Sequence, residues 1–231
     1  MDNNDMYWQQ WEKLLEAAAQ IQRLFPDAVL IGGSAAAVHV QHRYSLDADH
    51  ILSQLEKKYE AVLDFLENRD DWVTARLNPP KLILGKFQGV ETGIRQLRRY
   101  IPLETVTLSV QGRKLTVPTI PEMIRIKGWM IVSRNAARDY IDFAALVDHL
   151  GFGQAADALK NFDSFYSDLM RGAEASPMIQ LIRQLAEPHP YDLDDIDVFH
   201  YKGIREPFTS WEYIIGVCGK TAAELGSILA E

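Results

Sequence analysis

Two aspartates separated by one residue are the side chains in this sequence best suited to metal chemistry. Asp47 and Asp49 lie in the segment Arg43-Tyr-Ser-Leu-Asp-Ala-Asp49. Because side chains alternate across an extended strand, both carboxylates face the same side if residues 45–51 are extended. Two convergent carboxylates suit a hard divalent cation, which we expect to be Mg²⁺ or Mn²⁺. The alternative is a solvated turn whose aspartates cap a helix or form salt bridges.

A glycine-rich turn lies ahead of the aspartates. Gly32, Gly33 and Ser34 follow the apolar run 29–31 and open a segment of small residues that is typical of a helix. Such a helix start presents backbone N–H groups and a hydroxyl to phosphate. A dinucleotide-binding turn is the rival interpretation, but neither the Gly-x-Gly-x-x-Gly spacing nor a Gly-Lys-[Ser/Thr] sequence is present. A purely structural glycine turn stays open as a second alternative.

A second charged block lies well downstream. Lys127 falls on a helix predicted from the capping box Thr119-Ile-Pro-Glu122, and Arg134 follows it one heptad later. Asp139 and Asp142 come next, on a further predicted helix. Taken alone, such residues are typical of the solvated face of an amphipathic helix.

Hydrophobic periodicity predicts the elements that would position these residues. Helices are expected near residues 8–25, 34–42, 51–68, 121–133, 138–150, 154–170, 177–186 and 210–229. Strands are expected near residues 29–31, 45–51, 72–77, 82–87, 90–97, 105–110 and 115–117. This order predicts an α+β fold, a mixed sheet flanked by helices with a C-terminal helical region. We place the core domain at residues 1–118 and the helical region, which carries the downstream charged block, at residues 119–231.

The turn and the aspartate pair resemble the signature of DNA polymerase β-like nucleotidyltransferases. Within that superfamily, Gly32-Gly-Ser-Ala35 and Arg43-Tyr-Ser-Leu-Asp-Ala-Asp49 are similar to the opening block of the AbiEii/AbiGii toxin-type family. Residues 126–142, Ile-Lys-Gly-Trp-Met-Ile-Val-Ser-Arg-Asn-Ala-Ala-Arg-Asp-Tyr-Ile-Asp, look like that family's Lys…Arg…[Lys/Arg]-Asp-x-x-Asp pattern. The two blocks occur in the family's order.

The resemblance implies a polymerase β-like fold and a role for each matching residue. Asp47 and Asp49 would be catalytic residues and metal ligands, and Lys127 would be a catalytic contact to the triphosphate. Asp139 would orient the lysine and the nucleotide, with Asp142 as the next choice. The implied nucleotide-binding residues are Gly32, Gly33, Ser34, Arg43, Ser45, Lys127, Arg134 and Asp139.

Nucleotidyltransferases of this type usually carry a third carboxylate on a neighbouring strand. Glu91, in Gly89-Val-Glu-Thr-Gly-Ile-Arg95, is our choice, because it begins a predicted strand in about the expected place. Glu104, in Pro102-Leu-Glu-Thr105, is the rival. A glutamate in place of the commoner aspartate leaves open a catalytically weakened site.

Composition and charge limit the partners and the cellular compartment that we expect for this protein. A formal net charge of −8 over 231 residues argues against a generally basic surface that coats nucleic acid, so an RNA or DNA partner would need a local patch. The one cysteine, Cys218, excludes an intramolecular disulfide and fits a reducing compartment. We see no apolar run of the ~20 residues that span a bilayer and no signal-peptide pattern. We therefore expect a cytoplasmic protein with no membrane partner.

These observations predict a Mg²⁺-dependent nucleotidyltransferase that moves NMP from an NTP to an acceptor hydroxyl or phosphate. The candidate acceptors are a tRNA end or a protein, and the family suggests the toxin of a toxin-antitoxin or abortive-infection system, with an antitoxin protein as partner. One alternative is a weakened nucleotide-binding module that acts through a protein partner. The other is an antibiotic-type nucleotidyltransferase with a small-molecule acceptor. The sequence does not select the base or the acceptor.

Overall fold

The computed structural model describes residues 3–169, 176–193, 198 and 201–230. The chain divides into two compact units. The sheet unit comprises residues 1–38 and 44–118, and the helical unit comprises residues 39–43 and 119–231. The short segment 39–43 is therefore the part of the N-terminal half that belongs with the helical unit, whereas the sequence had placed it in the core domain.

The sheet unit contains three helices and seven strands among its described residues. The helices are α1 (Asn3–Leu24), α2 (Gly32–Val40) and α3 (Leu55–Glu67), of which α2 runs two residues beyond the unit's boundary. The strands are β1 (Val29–Leu30), β2 (Asp47–Ile51), β3 (Trp72–Asn78), β4 (Leu82–Phe87), β5 (Val90–Arg95), β6 (Thr105–Val110) and β7 (Arg113–Pro118). The first five form one mixed sheet in the order β1-β2-β5-β4-β3, in which β2 and β5 are parallel and the other pairs are antiparallel. Strands β6 and β7 form a separate antiparallel pair.

One face of the five-stranded sheet is the core of this unit. The apolar side chains of that face pack against α1 and α3, whose hydrophobic stripes recur at helical spacing. The core contains Ala17, Ile21, Leu55, Tyr59, Leu66, Trp72, Ile83, Phe87 and Ile94. Because residues alternate across a strand, the neighbours of these core residues in sequence line the opposite face. That opposite face carries both aspartates of β2.

The described part of the helical unit is built from helices. They are α4 (Ile120–Arg134), α5 (Ala137–Leu150), α6 (Phe152–Leu159), α7 (Phe162–Tyr166), α8 (Pro177–Ala186) and α9 (Trp211–Ala230), with one 3₁₀ turn at Ser167–Leu169. Thr119 caps α4 by accepting a hydrogen bond from the backbone N–H of Glu122, as the capping-box sequence predicts. The left-handed residue Asn135 (φ 51°) ends the helix.

Several predicted boundaries differ from the structure. The helix expected over residues 154–170 is two short helices and a 3₁₀ turn, and its last residue lies outside the described residues. The small-residue helix ends at Val40 rather than near His42, because Gln41 has a left-handed backbone (φ 51°). The strand that carries the aspartates begins at Asp47, two residues later than expected.

Helix α9 has the length and apolar composition of a membrane span, and it is the single such helix in the part of the chain that the structure describes. A third of its apolar stretch is buried inside the helical unit, where the helix packs against α5, α6 and α8. The core helix of a soluble protein has the same length and composition. The expectation of no membrane partner stays a prediction.

Candidate functional site

Strand β2 presents its two aspartates on one face. Burial alternates along the strand, so that Ala48 and His50 are buried while Asp47 is exposed and Asp49 is half-buried. The aspartates thus lie on the same side, as the alternation of an extended strand requires. The opposite side of the strand faces the core.

Strand β5 brings a third carboxylate beside them. In the parallel ladder Asp47 pairs with Glu91, and Asp49 pairs with Gly93. Residues paired across adjacent strands project to the same face, so Glu91 lies on the side of the two aspartates. We call Asp47, Asp49 and Glu91 together the carboxylate face. Glu104, the rival third acid, precedes β6 of the two-stranded sheet and therefore has no position on this face.

The glycine at position 93 makes room for Asp49. A Cβ built at Gly93 would lie 2.1 Å from Oδ1 of Asp49 and 3.0 Å from Cδ2 of Leu84. The first contact is far closer than real Cβ atoms approach. The Asp49 carboxylate therefore leans over β5 through a gap that any larger residue would fill.

Arg95 meets Asp49 on the far side of this gap. It lies two residues after Gly93 and thus on the same face of β5. Its Nη2 atom lies 3.3 Å from Oδ1 and 3.4 Å from Oδ2 of Asp49. Both side chains are partly exposed, at 37% for the arginine and 27% for the aspartate. Asp49 thus has a basic neighbour on one side and the other two carboxylates on the other.

The glycine-serine turn is attached directly to the aspartate strand. The buried Ser34 hydroxyl donates a hydrogen bond of 2.6 Å to the backbone carbonyl of Asp47. The backbone N–H of Ile31 donates to the carbonyl of Asp49 at 2.8 Å. Gly32 has φ +78°, a conformation that favours glycine. The start of α2 is therefore fixed relative to the carboxylate face.

Four of the other predicted site residues, Arg43, Lys127, Arg134 and Asp139, lie in the helical unit. A second aspartate, Asp142, joins them into one chain of ion pairs: Asp142 contacts Arg43 and Lys127, Lys127 also contacts Asp139, and Asp139 contacts Arg134. These five side chains and that of His42 form what we call the buried charge cluster. Ser45, the remaining predicted residue, lies in the sheet unit two residues before β2.

Asp142 is the centre of the buried charge cluster. Its carboxylate accepts hydrogen bonds from Nε and Nη2 of Arg43 at 2.7 and 3.0 Å and from Nε2 of His42 at 2.7 Å. The ammonium of Lys127 lies 2.6 Å from its other oxygen, and the aspartate has no exposed side-chain surface. The carboxylate is thus surrounded by three donor side chains from two segments of the chain.

Asp139 holds the other side of Lys127. Its Oδ1 atom accepts hydrogen bonds from the Lys127 ammonium at 3.2 Å and from Nη2 of Arg134 at 2.7 Å, and its Oδ2 atom accepts from Nε of Arg134 at 2.5 Å. The lysine side chain is only 3% exposed, whereas that of Arg134 is 39% exposed. Within this unit, then, Arg134 rather than Lys127 reaches solvent.

Electrostatics in the buried charge cluster follow from this geometry. Burial alone would raise the pKa of Asp142, but Arg43 and Lys127 hold it well below its usual value. Burial would also raise the pKa of Asp139, and Lys127 and Arg134 outweigh it to lower that pKa. Burial lowers the pKa of His42, although Asp142 opposes the shift. The cluster therefore contains three cations, two carboxylates and a neutral histidine near pH 7.

The carboxylate face fits a hard divalent cation by its donor chemistry and by the gap at Gly93. Within the described residues, no three His, Cys, Asp or Glu side chains are grouped closely enough to hold a metal ion by themselves. Mg²⁺ commonly binds through one or two carboxylates, with substrate phosphates and water completing its octahedron. A pair of aspartates on one strand, with a glutamate beside them, matches that open type of site.

Comparison with solved structures identifies the fold. MenT4, a nucleotidyltransferase toxin from Mycobacterium tuberculosis, superposes with a TM-score of 0.62 at 13% identity, covering 98% of this chain and 86% of that one. A candidate nucleotidyltransferase from H. pylori superposes with a TM-score of 0.51 at 15% identity, covering 100% and 98%. The chain has a nucleotidyltransferase fold. The fold class expected from the sequence, a mixed sheet flanked by helices with a C-terminal helical region, is thereby confirmed.

Comparisons by sequence give a different kind of relative. Heme uptake protein MmpL11 of Mycobacterium tuberculosis is 30% identical over an alignment of 195 residues that covers 79% of this chain and 20% of that protein. The mycolic acid-containing lipids exporter MmpL11 of Mycolicibacterium smegmatis is 36% identical over an alignment of 99 residues that covers 41% of this chain and 10% of that protein. The chain spans about a fifth of the length of the first of these relatives. No protein-family model matches the chain.

Three residues of these two regions were not assigned to the metal or nucleotide site from the sequence. Gly93 could have been singled out, because a glycine inside a strand often marks the close approach of another group. The partnership of Arg95 with Asp49 depends on the register of β2 and β5, which the sequence does not specify. His42 carried no ligand signal because its partner, Asp142, lies 100 residues away.

Proposed function

We propose that the protein is a divalent-metal-dependent nucleotidyltransferase that transfers NMP from an NTP to an acceptor hydroxyl or phosphate. The observation that carries the proposal is the carboxylate face. Asp47 and Asp49 lie on one side of β2, Glu91 pairs with Asp47, and Gly93 leaves space for Asp49. The nucleotidyltransferase fold agrees with this chemistry, since Asp47 and Asp49 of the matching block lie on its sheet and Gly32–Ser34 begin a helix that is hydrogen-bonded to the same strand.

The proposed reaction is an in-line displacement at the α-phosphorus of the NTP. The acceptor oxygen forms a new bond to phosphorus, the bond to the bridging oxygen breaks, and pyrophosphate leaves with the electron pair. A divalent ion held by Asp47 and Asp49 would neutralise the charge that builds on the phosphates. Glu91 would accept the proton of the acceptor hydroxyl or complete the ion's ligands. The start of α2, at Gly32, Gly33 and Ser34, offers backbone donors to the outer phosphates.

The residues assigned to the nucleotide by resemblance keep those roles as part of the proposal. Lys127, Arg134 and Arg43 would supply positive charge toward the triphosphate, and Asp139 would orient the lysine. The contacts inside the helical unit support a more specific division of labour. Because Lys127 is bound by two carboxylates and nearly fully buried, it would set the charge and geometry of the region, while the more exposed Arg134 would make direct contact.

For the biological setting, we propose a toxin of the AbiEii/AbiGii type, with a tRNA end or a protein as acceptor and an antitoxin protein as partner. Two observations support it: the ordered motif blocks of the sequence and the fold shared with the toxin MenT4. We propose Mg²⁺, with Mn²⁺ as a substitute, as the metal and the cytoplasm as the location.

The experiment that tests the activity uses four NTPs, each labelled at the α-phosphate. The full-length protein is incubated with one NTP, Mg²⁺ or Mn²⁺, and total cellular RNA or total protein, and transferred label is separated on a gel. We expect label on one acceptor class with wild type and at least about a 100-fold loss with Asp47→Asn. Arg76→Ala, on the same sheet but three strands away from β2, is the control and should retain activity.

The proposal fails if no NTP labels any acceptor and Asp47→Asn binds NTP as well as the wild type does.

A second candidate function, a nucleotide-binding module without turnover, is favoured by one specific feature. Asp49 is already paired with Arg95, and a glutamate stands in the third position. Calorimetry that detects metal-dependent NTP binding, combined with an absence of pyrophosphate release, would select that candidate.

A further inference from the structure

We propose that Arg95 is an exchangeable partner of Asp49, one that makes metal binding at the carboxylate face depend on the substrate's phosphates. Without nucleotide, the guanidinium occupies one side of the Asp49 carboxylate and weakens its hold on a divalent ion. When a triphosphate brings the ion in, Arg95 leaves Asp49 and binds a phosphate oxygen. The inference rests on the proposed function, since it assigns a regulatory and substrate-binding role within that same site.

Asp49 lies between two kinds of neighbour on β5, an acidic and a basic side chain. Gly93, its register partner, separates Glu91 from Arg95, and all three residues lie on one face of the strand. The Asp49 carboxylate leans into the gap at Gly93, where an added Cβ would meet its Oδ1 atom at 2.1 Å. The Asp49 carboxylate therefore lies over the position of β5 that separates the glutamate from the arginine.

The ion pair between Arg95 and Asp49 is weak. The distances of 3.3 and 3.4 Å are at the long end for a charge-assisted hydrogen bond, and they involve a single nitrogen of the guanidinium. Both side chains also remain partly exposed to water. Exposed ion pairs of this kind stabilise a protein only slightly, so a doubly charged ion can displace the guanidinium.

Once released from Asp49, Arg95 can bind a phosphate group. Its register partners on the neighbouring strands are Ile51 on β2 and Leu82 on β4, which supply no charge. A guanidinium offers five N–H donors in a planar fork that matches phosphate oxygens. Fixed at the end of β5 beside Asp49, it lies where phosphates bound to the same ion would arrive.

The test measures Mn²⁺ binding by electron paramagnetic resonance, which counts the free ion. Arg95→Ala should bind Mn²⁺ about three to ten times more tightly than wild type in the absence of nucleotide, because a competing cation has been removed. Arg95→Gln, which keeps most of the side chain's length, should show the same shift. Arg76→Ala is the matched control. Arg76 lies in the same row of the sheet as Asp49, because Arg76 pairs with Leu84, Leu84 pairs with Gly93, and Gly93 pairs with Asp49. The variant removes a positive charge from that row about 14 Å from β2 and should leave the affinity for Mn²⁺ unchanged.

A second arm adds inorganic triphosphate, which carries the phosphate chemistry of any NTP without a base. With Mn²⁺ present, wild type should bind triphosphate several times more tightly than Arg95→Ala does, since the variant lacks the released guanidinium. The two arms thus predict opposite signs for one substitution. A general loss of structure would not produce that pattern.

Failure of the inference and failure of the proposed function give different results. If Arg95→Ala has the Mn²⁺ affinity of wild type while Asp49→Asn loses Mn²⁺ binding, the role of Arg95 is overturned and the metal site stands. If Asp47→Asn and Asp49→Asn both bind Mn²⁺ as wild type does, the metal site itself is wrong, and the role of Arg95 falls with it.

Discussion

The carboxylate face and the buried charge cluster both place aspartates beside basic side chains, yet the two regions differ in how fully the aspartates are surrounded. In the cluster, Asp142 has no exposed side-chain surface and is in contact with the side chains of His42, Arg43 and Lys127. On the face, Asp47 is exposed and Asp49 has one long, partly exposed ion pair. The same residue type thus occurs in two opposite environments.

The difference teaches which acids are available for chemistry. A carboxylate whose charge is neutralised by buried cations cannot leave them without a large loss of stability. A carboxylate at the surface, with one weak and exchangeable partner, can ligate an ion at little cost to the fold. The structure therefore favours a stabilising role for Asp142 and a ligand role for Asp47 and Asp49. The predictions below test that division.

The largest effect is expected from Asp142→Ala. The substitution leaves Arg43 and Lys127 as buried cations without their common counter-ion, which should lower the free energy of unfolding by about 3–5 kcal/mol. Urea denaturation followed by circular dichroism measures it. Asp148→Ala, an exposed acid on the same helix, should cost less than about 1 kcal/mol. A cost of the same small size for both variants would contradict the account.

Next in size is Gly93→Ala, which should damage activity but spare the fold. The new methyl group must displace the Asp49 carboxylate, whereas the backbone of β5 is unchanged. We expect a fall in transfer activity of at least about tenfold and a change in unfolding free energy under about 1 kcal/mol. Gly153→Ala, where an added Cβ meets open space, serves as the control. If Gly93→Ala retained full activity, Asp49 would not need the gap.

The smallest effect is the pH dependence of stability contributed by His42. Burial lowers the pKa of His42 in the folded protein. Below about pH 6.5 the imidazole is therefore protonated in the unfolded chain but stays neutral in the folded protein. Stability should therefore fall as pH decreases from 7.5 to 5.5. His42→Gln keeps an Nε2 donor for Asp142 and should remove about 1 kcal/mol of that fall.

Other titrating groups do not obscure the comparison. Burial lowers the pKa of His50 to about 4, so this residue also lowers stability as the pH decreases. Its contribution is the same in wild type and in His42→Gln, because the variant leaves His50 unchanged. Asp142 has its pKa held well below the usual range and stays ionised across the window. Stability curves of wild type and His42→Gln that run parallel from pH 7.5 to 5.5 would show that His42 is not a buried neutral group.

The sequence predicted the carboxylate face better than it predicted the buried charge cluster, and the reason is physical. The alternation of a strand places Asp47 and Asp49 on one side whatever the partner strand is, so local periodicity suffices. The pairing of Glu91 with Asp47 required the sheet register, which depends on tertiary structure. The gap at Gly93 and the ion pair of Arg95 follow from that register and had no local signal beyond a glycine within a strand.

The cluster could be predicted only in part. Helical spacing places Lys127 and Arg134 on similar faces of α4. The sequence taken alone favours a solvated Lys127, whereas two aspartates of the next helix bury it. His42 and Arg43 belong to the segment 39–43 of the helical unit, in which the left-handed residue Gln41 follows the end of α2. No periodicity in the sequence indicates that assignment.

The central claim, that the carboxylate face binds a metal-associated triphosphate, is tested most directly by anomalous scattering from a crystal. The full-length protein would be soaked with Mn²⁺ and an NTP analogue that carries a methylene bridge between its α and β phosphorus atoms. We predict an anomalous peak about 2.0–2.3 Å from carboxylate oxygens of Asp47 and Asp49, with phosphate oxygens as further ligands. A peak elsewhere, or nucleotide bound with both aspartates turned away from it, would contradict the claim.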